Sequence, residues 1–249
     1  MILRRFAESI RRQDWFTVLL EIFIVVLGVF IGIEVANWNE ARSDREREAA
    51  LLETLVEDIR EDIADIETTI AVETARISAL DHLIQRATGT ALPDGFDSAR
   101  GRIDVVPYPA YTETQSFDLG YTLFIMNSVP RRRAAYETII NTGGLGLIRD
   151  AALAGEIQAY YARVDSIRSF EEVMQLTRQR FVEAQRQIGV SPVDDHSMDD
   201  LVDLFRADAA MTAAAKEYWL FTNFHLRLLT GHQEAAGRFA EILESGIER

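Results

Sequence analysis

The chain has 249 residues, with 26 lysines and arginines against 40 aspartates and glutamates, for a net charge of −14. So acidic a polar region excludes nucleic acid and an anionic membrane surface as its partners. The absence of cysteine excludes disulfides and thiolate chemistry.

Residues 1–14 form a basic tail carrying Arg4, Arg5, Arg11 and Arg12. Residues 15–38, WFTVLLEIFIVVLGVFIGIEVANW, read as one transmembrane helix with Trp15 and Trp38 at the two membrane interfaces. A helix between them covers about 34 Å, matching a hydrocarbon core of about 30 Å with a little interface at each side. Indole rings favour that interface because they are apolar with one N–H that wants a wet partner. Between Phe16 and Val35 only Thr17, Glu21 and Glu34 are polar, so the segment lacks the polar face of a soluble core helix.

Helical geometry puts Glu21, Val25, Gly28 and Gly32 on one face. Gly28-Val-Phe-Ile-Gly32 is a GxxxG motif, which lets two helix backbones approach closely. An ionised Glu21 inside the apolar layer is costly and usually faces a protein partner or water. The expectation is a transmembrane packing face, in a homo-oligomer or against another membrane protein. The alternative is a monomeric span whose Glu21 reaches the interface.

The exit sequence Glu34-Val35-Ala36 places a charge where a signal peptidase needs a small residue, so an uncut anchor is expected. Four arginines precede the span, and Arg42, Arg45 and Arg47 follow it. That one-charge difference favours a cytoplasmic N-terminus and an external C-terminal region.

Residues 39–88 continue the helical pattern with no proline or glycine until Gly89. Leu52, Leu55, Ile59, Ile63, Ile66, Ile70, Ile77, Leu80 and Ile84 make an apolar stripe, with a register shift read between Ile59 and Ile63. Glu53, Glu57, Glu61 and Asp65 form an acidic ridge opposite, read as a solvated face.

Residues 89–129 read as a connector rich in turn signals. Ile103–Val106 is a candidate strand. Tyr108, Tyr111, Phe117, Tyr121 and Phe124 crowd together, either packing onto helices or lining a ligand pocket.

Residues 130–249 complete a helical region. Asn127-Ser128-Val-Pro130 reads as a helix start with Arg131, Arg132 and Arg133 in its first turn, where positive charge is unfavourable. Those arginines are expected to be solvated, to meet acids such as the ridge, or to contact an anion. With Tyr108 and Tyr111 they are the candidate ligand contacts.

Asn141-Thr-Gly143-Gly144 reads as a helix stop and Asp150 as the next cap. A stripe of Leu153, Ile157, Tyr160, Val164, Ile167, Met174 and Phe181 follows, ended by Gly189-Val-Ser-Pro192. Asp194, Asp195, His196, Asp199 and Asp200 suggest a metal, but a loop whose acids and Ser197 favour the next helix N-terminus accounts for them. In the last helix Tyr218, Phe221, His225, Leu228, His232, Ala235, Phe239 and Ile242 repeat every seven residues. Histidines so spaced occupy separate layers and read as packed or partly solvated rather than as a zinc pair.

The opening LEIFIVVLGVFIGIEVANWNEARSDRE resembles a family of bacterial single-span proteins classed as a domain of unknown function. AYETIINTGGLGLIRDAALAGEIQAYY, residues 135–161, is similar to a second segment of that family. The resemblance implies a membrane-anchored helical protein of the bacterial inner membrane and supplies no catalytic or ligand residue.

The expected fold is all-α: a single N-terminal transmembrane helix continuing into a long helix, packed with two further long helices and one short one in an extra-membrane bundle. The chain has no G-x-S-x-G, P-loop or H-E-x-x-H motif, so a non-enzymatic role with no cofactor is expected. A scaffold or adaptor anchored in the lipid bilayer is the leading expectation. A ligand-sensing external domain signalling through a partner membrane protein is the alternative.

Overall fold

A computed structural model describes residues 15–99, 101–112, 119–124, 132–191, 194 and 196–247. The basic tail, Phe117, Asn127–Arg131, Pro192 and Asp195 lie outside the described residues, as do the side chains of Trp15, Tyr121 and Phe124.

The fold is all-α. Helix α1, Trp15–Thr88, runs for 74 residues without interruption. It ends where the sequence first offers a stop: Gly89 takes φ +68° and its N–H bonds the Gln85 carbonyl at 2.8 Å. The chain divides into two units, residues 1–50 and residues 51–249.

In the first unit α1 is long and apolar enough to cross a membrane. Its best window has a mean hydropathy of 2.7 and none of it is buried in the protein. Beyond Trp38 the surface turns ionic, with exposed pairs Arg42–Glu46 at 3.0 Å and Arg47–Asp44 at 3.2 Å.

In the second unit, residues 51–88 of α1 pack with helices α4 (Ala151–Gln187) and α6 (Ala209–Ile247). At one end Leu52, Leu55 and Ile59 meet Leu153, Ile157 and Val164 of α4 and Phe239 and Leu243 of α6. At the other, Ile77, Leu80 and Ile84 meet Met174 and Phe181 of α4 and Met211, Ala215 and Tyr218 of α6. Helix α4 therefore runs parallel to α1, and α6 runs back against both.

Parallel neighbours need a returning connection. It holds a hairpin of strands β1 (Gly95–Ser98) and β2 (Gly101–Asp104), then helices α2 (Leu119–Phe124) and α3 (Ala134–Thr142). The second strand starts two residues before the expected one. A short helix α5 (Met198–Ala207) lies between α4 and α6.

The caps follow the sequence closely. Gly143 closes α3 at φ +72°, and Asp150 accepts from Ala152 and Leu153 N–H to open α4. Ser197 and Asp200 form a reciprocal capping box on α5.

Helix α3 starts later than expected, at Ala134, so Arg132 and Arg133 precede its first turn. Carboxylates on α1 and α4 hold both arginines in the chain entering α3.

The buried face of α1 is a strict alternation of three- and four-residue steps: Leu52, Leu55, Ile59, Asp62, Ile66, Thr69, Glu73, Arg76, Leu80, Leu83 and Ala87. No register shift occurs after Ile59. Asp62 takes the next inward position, and Ile63 and Ile70 sit beside the face, half-buried. The core is thus apolar at both ends and largely polar between them, where Ile66 packs with Ile167 and Leu229.

On α6 the inward residues include His225, Leu229, His232, Ala236, Phe239 and Leu243. Leu228 and Ile242, expected on that face, are exposed, and Phe221 and Ala235 are half-buried.

Candidate functional site

The middle of the bundle encloses charged groups from three helices. Glu73 and Arg76 of α1 and His225 of α6 are each 0% exposed, and Glu171 of α4 is buried beside them. Buried charges persist only when paired, and these are. Glu73 Oε1 accepts from Arg76 Nη1 at 2.7 Å and lies 3.4 Å from His225 Nδ1. The other imidazole nitrogen, Nε2, is 3.2 Å from Glu171 Oε1. Arg76 Nε donates to the Thr122 carbonyl on α2 at 2.9 Å, and its guanidinium lies 5.8 Å from the Tyr218 ring centre.

Helix geometry explains the constellation. Glu73 and Arg76 are three residues apart, so they share a face of α1. His225 and Tyr218 are seven apart and share the inward face of α6. The Phe170 ring, next to Glu171, stacks with the imidazole at 6.2 Å.

The electrostatics follow from that packing. Burial pushes the Glu73 carboxyl up, but Arg76 and His225 outweigh it and hold Glu73 below its ordinary range. Burial opposes charge on Arg76 and His225 too, yet Glu73 raises the first and Glu171 with Glu73 raises the second. Burial drives the Tyr218 phenol up to about 12, so it stays neutral. With His225 protonated the cluster holds two anions and two cations. Glu73 Oε2, Arg76 Nη2, the Tyr218 hydroxyl and His225 Nδ1 have no hydrogen-bond partner among the described residues, so the 3.4 Å approach of Nδ1 to Glu73 is an ion-pair contact. Each buried polar group left unpaired in such a network is costly, because the low dielectric that strengthens the paired ones penalises it.

Nearer residue 51 a second ionic contact fastens the connector. Arg132 pairs with Glu61, with Asp65 at 2.8 Å and with Asp62 at 3.3 Å, and its backbone N–H donates to Asp62 at 3.1 Å. Part of the acidic ridge is therefore a docking ridge. Arg133 pairs with Asp165 of α4 and lies over the Tyr136 and Tyr161 rings. Burial keeps Asp62 above the usual carboxylate range despite its hydrogen bonds from Arg132.

The sequence-derived candidates are dispersed. Tyr108 accepts from the Trp219 indole N–H at 3.2 Å, and burial pushes its phenol up to about 12. Tyr111 stacks on His82 at 5.1 Å. Along α1 that contact lies about 25 Å from the Arg132–Asp65 pair, so the tyrosines and arginines do not line one site. Arg131 lies outside the described residues. Glu21, Val25, Gly28 and Gly32 lie on α1, and a Cβ added at either glycine would meet nothing within 4 Å. Trp38 is exposed, and Trp15 is the first residue of α1.

Sequence reading missed Glu73, Arg76 and Glu171. Their signal was position: on α1 the seven-residue spacing continues through them, although hydropathy marks them as surface.

Residues 21–90 match the model of a family of unknown function (DUF6090). The DUF6090 match begins inside the apolar segment and ends just past the α1 terminus, so it covers nearly all of that helix. It contains Glu73, Arg76 and the acids that hold Arg132, but neither Glu171 nor His225. The segment 135–161 lies beyond the DUF6090 match. No curated protein and no solved structure matches the chain.

Proposed function

We propose that this protein is a membrane-anchored helical scaffold or adaptor of the bacterial inner membrane, acting through helix–helix and protein–protein contacts rather than catalysis. The observation that carries this reading is the connector: among the described residues, several of its aromatic and cationic side chains fasten it to the bundle. Phe96 packs on Trp219, Tyr108 takes the Trp219 N–H, Tyr111 stacks on His82, and Arg132 and Arg133 are ion-paired. A bundle whose connector is fastened down in this way suits contact with a protein partner better than capture of a small ligand.

In this reading residues 15–38 cross the bilayer with the N-terminus cytoplasmic and residues 39–249 periplasmic. The Glu21, Val25, Gly28 and Gly32 face meets a second copy or another membrane protein. The absence of reactive motifs supports a non-enzymatic role, and the sensor alternative loses ground because Tyr108 and Tyr111 stand apart from Arg132. Mild-detergent extraction followed by mass measurement tests it. A particle heavier than one chain plus its micelle is expected, and a strictly monomeric chain in both detergent and lipid would overturn it.

A further inference from the structure

The central ionic layer joins three helices through one imidazole. His225 on α6 stands between Glu73 of α1, 3.4 Å away, and Glu171 of α4, 3.2 Å away, and all three side chains are buried. The other groups facing it are known. Arg76 from α1 shares Glu73, the neutral Tyr218 comes from α6, α4 adds the uncharged Phe170 ring, and Arg178 of α4 acts on Tyr218. From the connector the Thr122 carbonyl takes the Arg76 Nε–H. Glu73, Glu171, Arg76 and a protonated His225 sum to zero charge. Loss of one proton from the imidazole to solvent leaves a net negative charge in the bundle interior, on two carboxylates that then face a neutral ring.

We propose that His225 is a one-proton tie: its imidazolium, set between Glu73 and Glu171, holds α6 against α1 and α4, and loss of that proton loosens α6. The layer is suited to this because it is the polar interruption between two apolar clusters. Each cluster keeps its own packing while the middle opens. On the side toward residue 51 the adjoining apolar layer is thin, made of Ile66, Ile167 and Leu229 among the described residues, with Ile70 packed against it. The sign follows from linkage. A histidine that holds its proton more tightly when packed contributes stability fully present below its open-state value near 6.5 and lost as pH rises through its packed value. Between those two values, opening releases one proton, so the opening equilibrium rises about tenfold per pH unit. Above the packed value it levels off. The device concerns residues 51–249 alone, so it stands or falls separately from the scaffold role.

The test is amide exchange across α6 in the full chain in lipid nanodiscs, stepped through neutral to alkaline pH and corrected for the intrinsic pH dependence of exchange. In the wild type, protection around residues 222–232, between the two apolar clusters, should fall about tenfold per unit and then level. His225→Gln should remove the pH dependence. Glu171→Gln should shorten the interval over which it acts, because the imidazolium loses one of its two carboxylates. Nuclear magnetic resonance of labelled histidine in the wild type gives a reading that needs no variant: the His225 ring should keep its proton to higher pH than a histidine in the unfolded chain. A ring that loses its proton no later than an unfolded histidine, or the same pH dependence in wild type and His225→Gln, would overturn the proposal.

Discussion

Glu73 and Arg76 stand one turn apart on α1, both wholly enclosed, with Oε1 and Nη1 2.7 Å apart. Each makes the other's burial tolerable, and together they place a salt bridge where the seven-residue pattern of α1 asks for two apolar residues. An enclosed pair of this kind adds little net stability, because desolvation offsets the attraction. In the register observed, α6 presents His225 to Glu73 and α2 presents the Thr122 carbonyl to Arg76.

Removing one partner should therefore cost far more than removing both. Arg76→Met strands the Glu73 carboxylate in the core and is expected to destabilise the fold by about 3–5 kcal/mol. Combining it with Glu73→Leu should recover much of that loss, since Glu171 and His225 then balance each other. Chemical denaturation of the wild type and these two variants in detergent checks it. Equal costs for the single and the double replacement would show that the pair is not coupled.

The acid limb of stability should carry the signature of Glu73. Its carboxyl lies below the ordinary 4.5, so its contribution is complete above that pH and disappears as pH falls through the folded value. Asp58 and Asp62 work in the opposite sense, because burial holds both above 3.8 and protonation relieves their cost. The comparison that isolates Glu73 is the denaturation midpoint against pH for wild type and Glu73→Gln. The wild type should fall more steeply in acid than the variant.

Arg132 should matter more than other arginines that look alike in the sequence. Arg132→Ala leaves the buried Asp62 carboxylate without its cation, at an expected cost of about 1–3 kcal/mol. Arg42→Ala removes a solvated pair one turn long and should change stability by no more than about 0.5 kcal/mol. Thermal or denaturant unfolding of the two variants measures the difference, and equal effects would argue that the Arg132 contacts fasten nothing.

Much of the architecture was legible because it rests on local rules. The stops at Gly89 and Gly143 and the caps at Asp150 and Ser197 come from backbone chemistry that a few residues specify. The apolar segment, the long helices and most of their stripes follow from periodicity. The centre of the bundle was not legible, because hydropathy assigns Asp62, Glu73 and Arg76 to the surface. Only their three- and four-residue spacing continues the buried face. That substitution of polar for apolar side chains produced the supposed register shift after Ile59, where Ile63 was taken for the inward residue. On α6 the error had another cause. Leu228 precedes Leu229, Ala235 precedes Ala236 and Ile242 precedes Leu243, and a periodicity argument cannot choose between two adjacent apolar residues. Both histidines were placed inward correctly, but His225 meets Glu73 and Glu171 only through tertiary packing of distant segments.

The central claim is that the apolar part of α1 is a membrane span whose glycine face meets protein. Because the chain has no cysteine, single substitutions give an unambiguous crosslinking map in native membranes. Val25→Cys, Gly28→Cys and Gly32→Cys should form disulfide dimers, or mixed crosslinks of defined mass, while Val26→Cys and Phe30→Cys on the opposite face should not. Equal reactivity at all five positions, or none at any of them, would contradict the account.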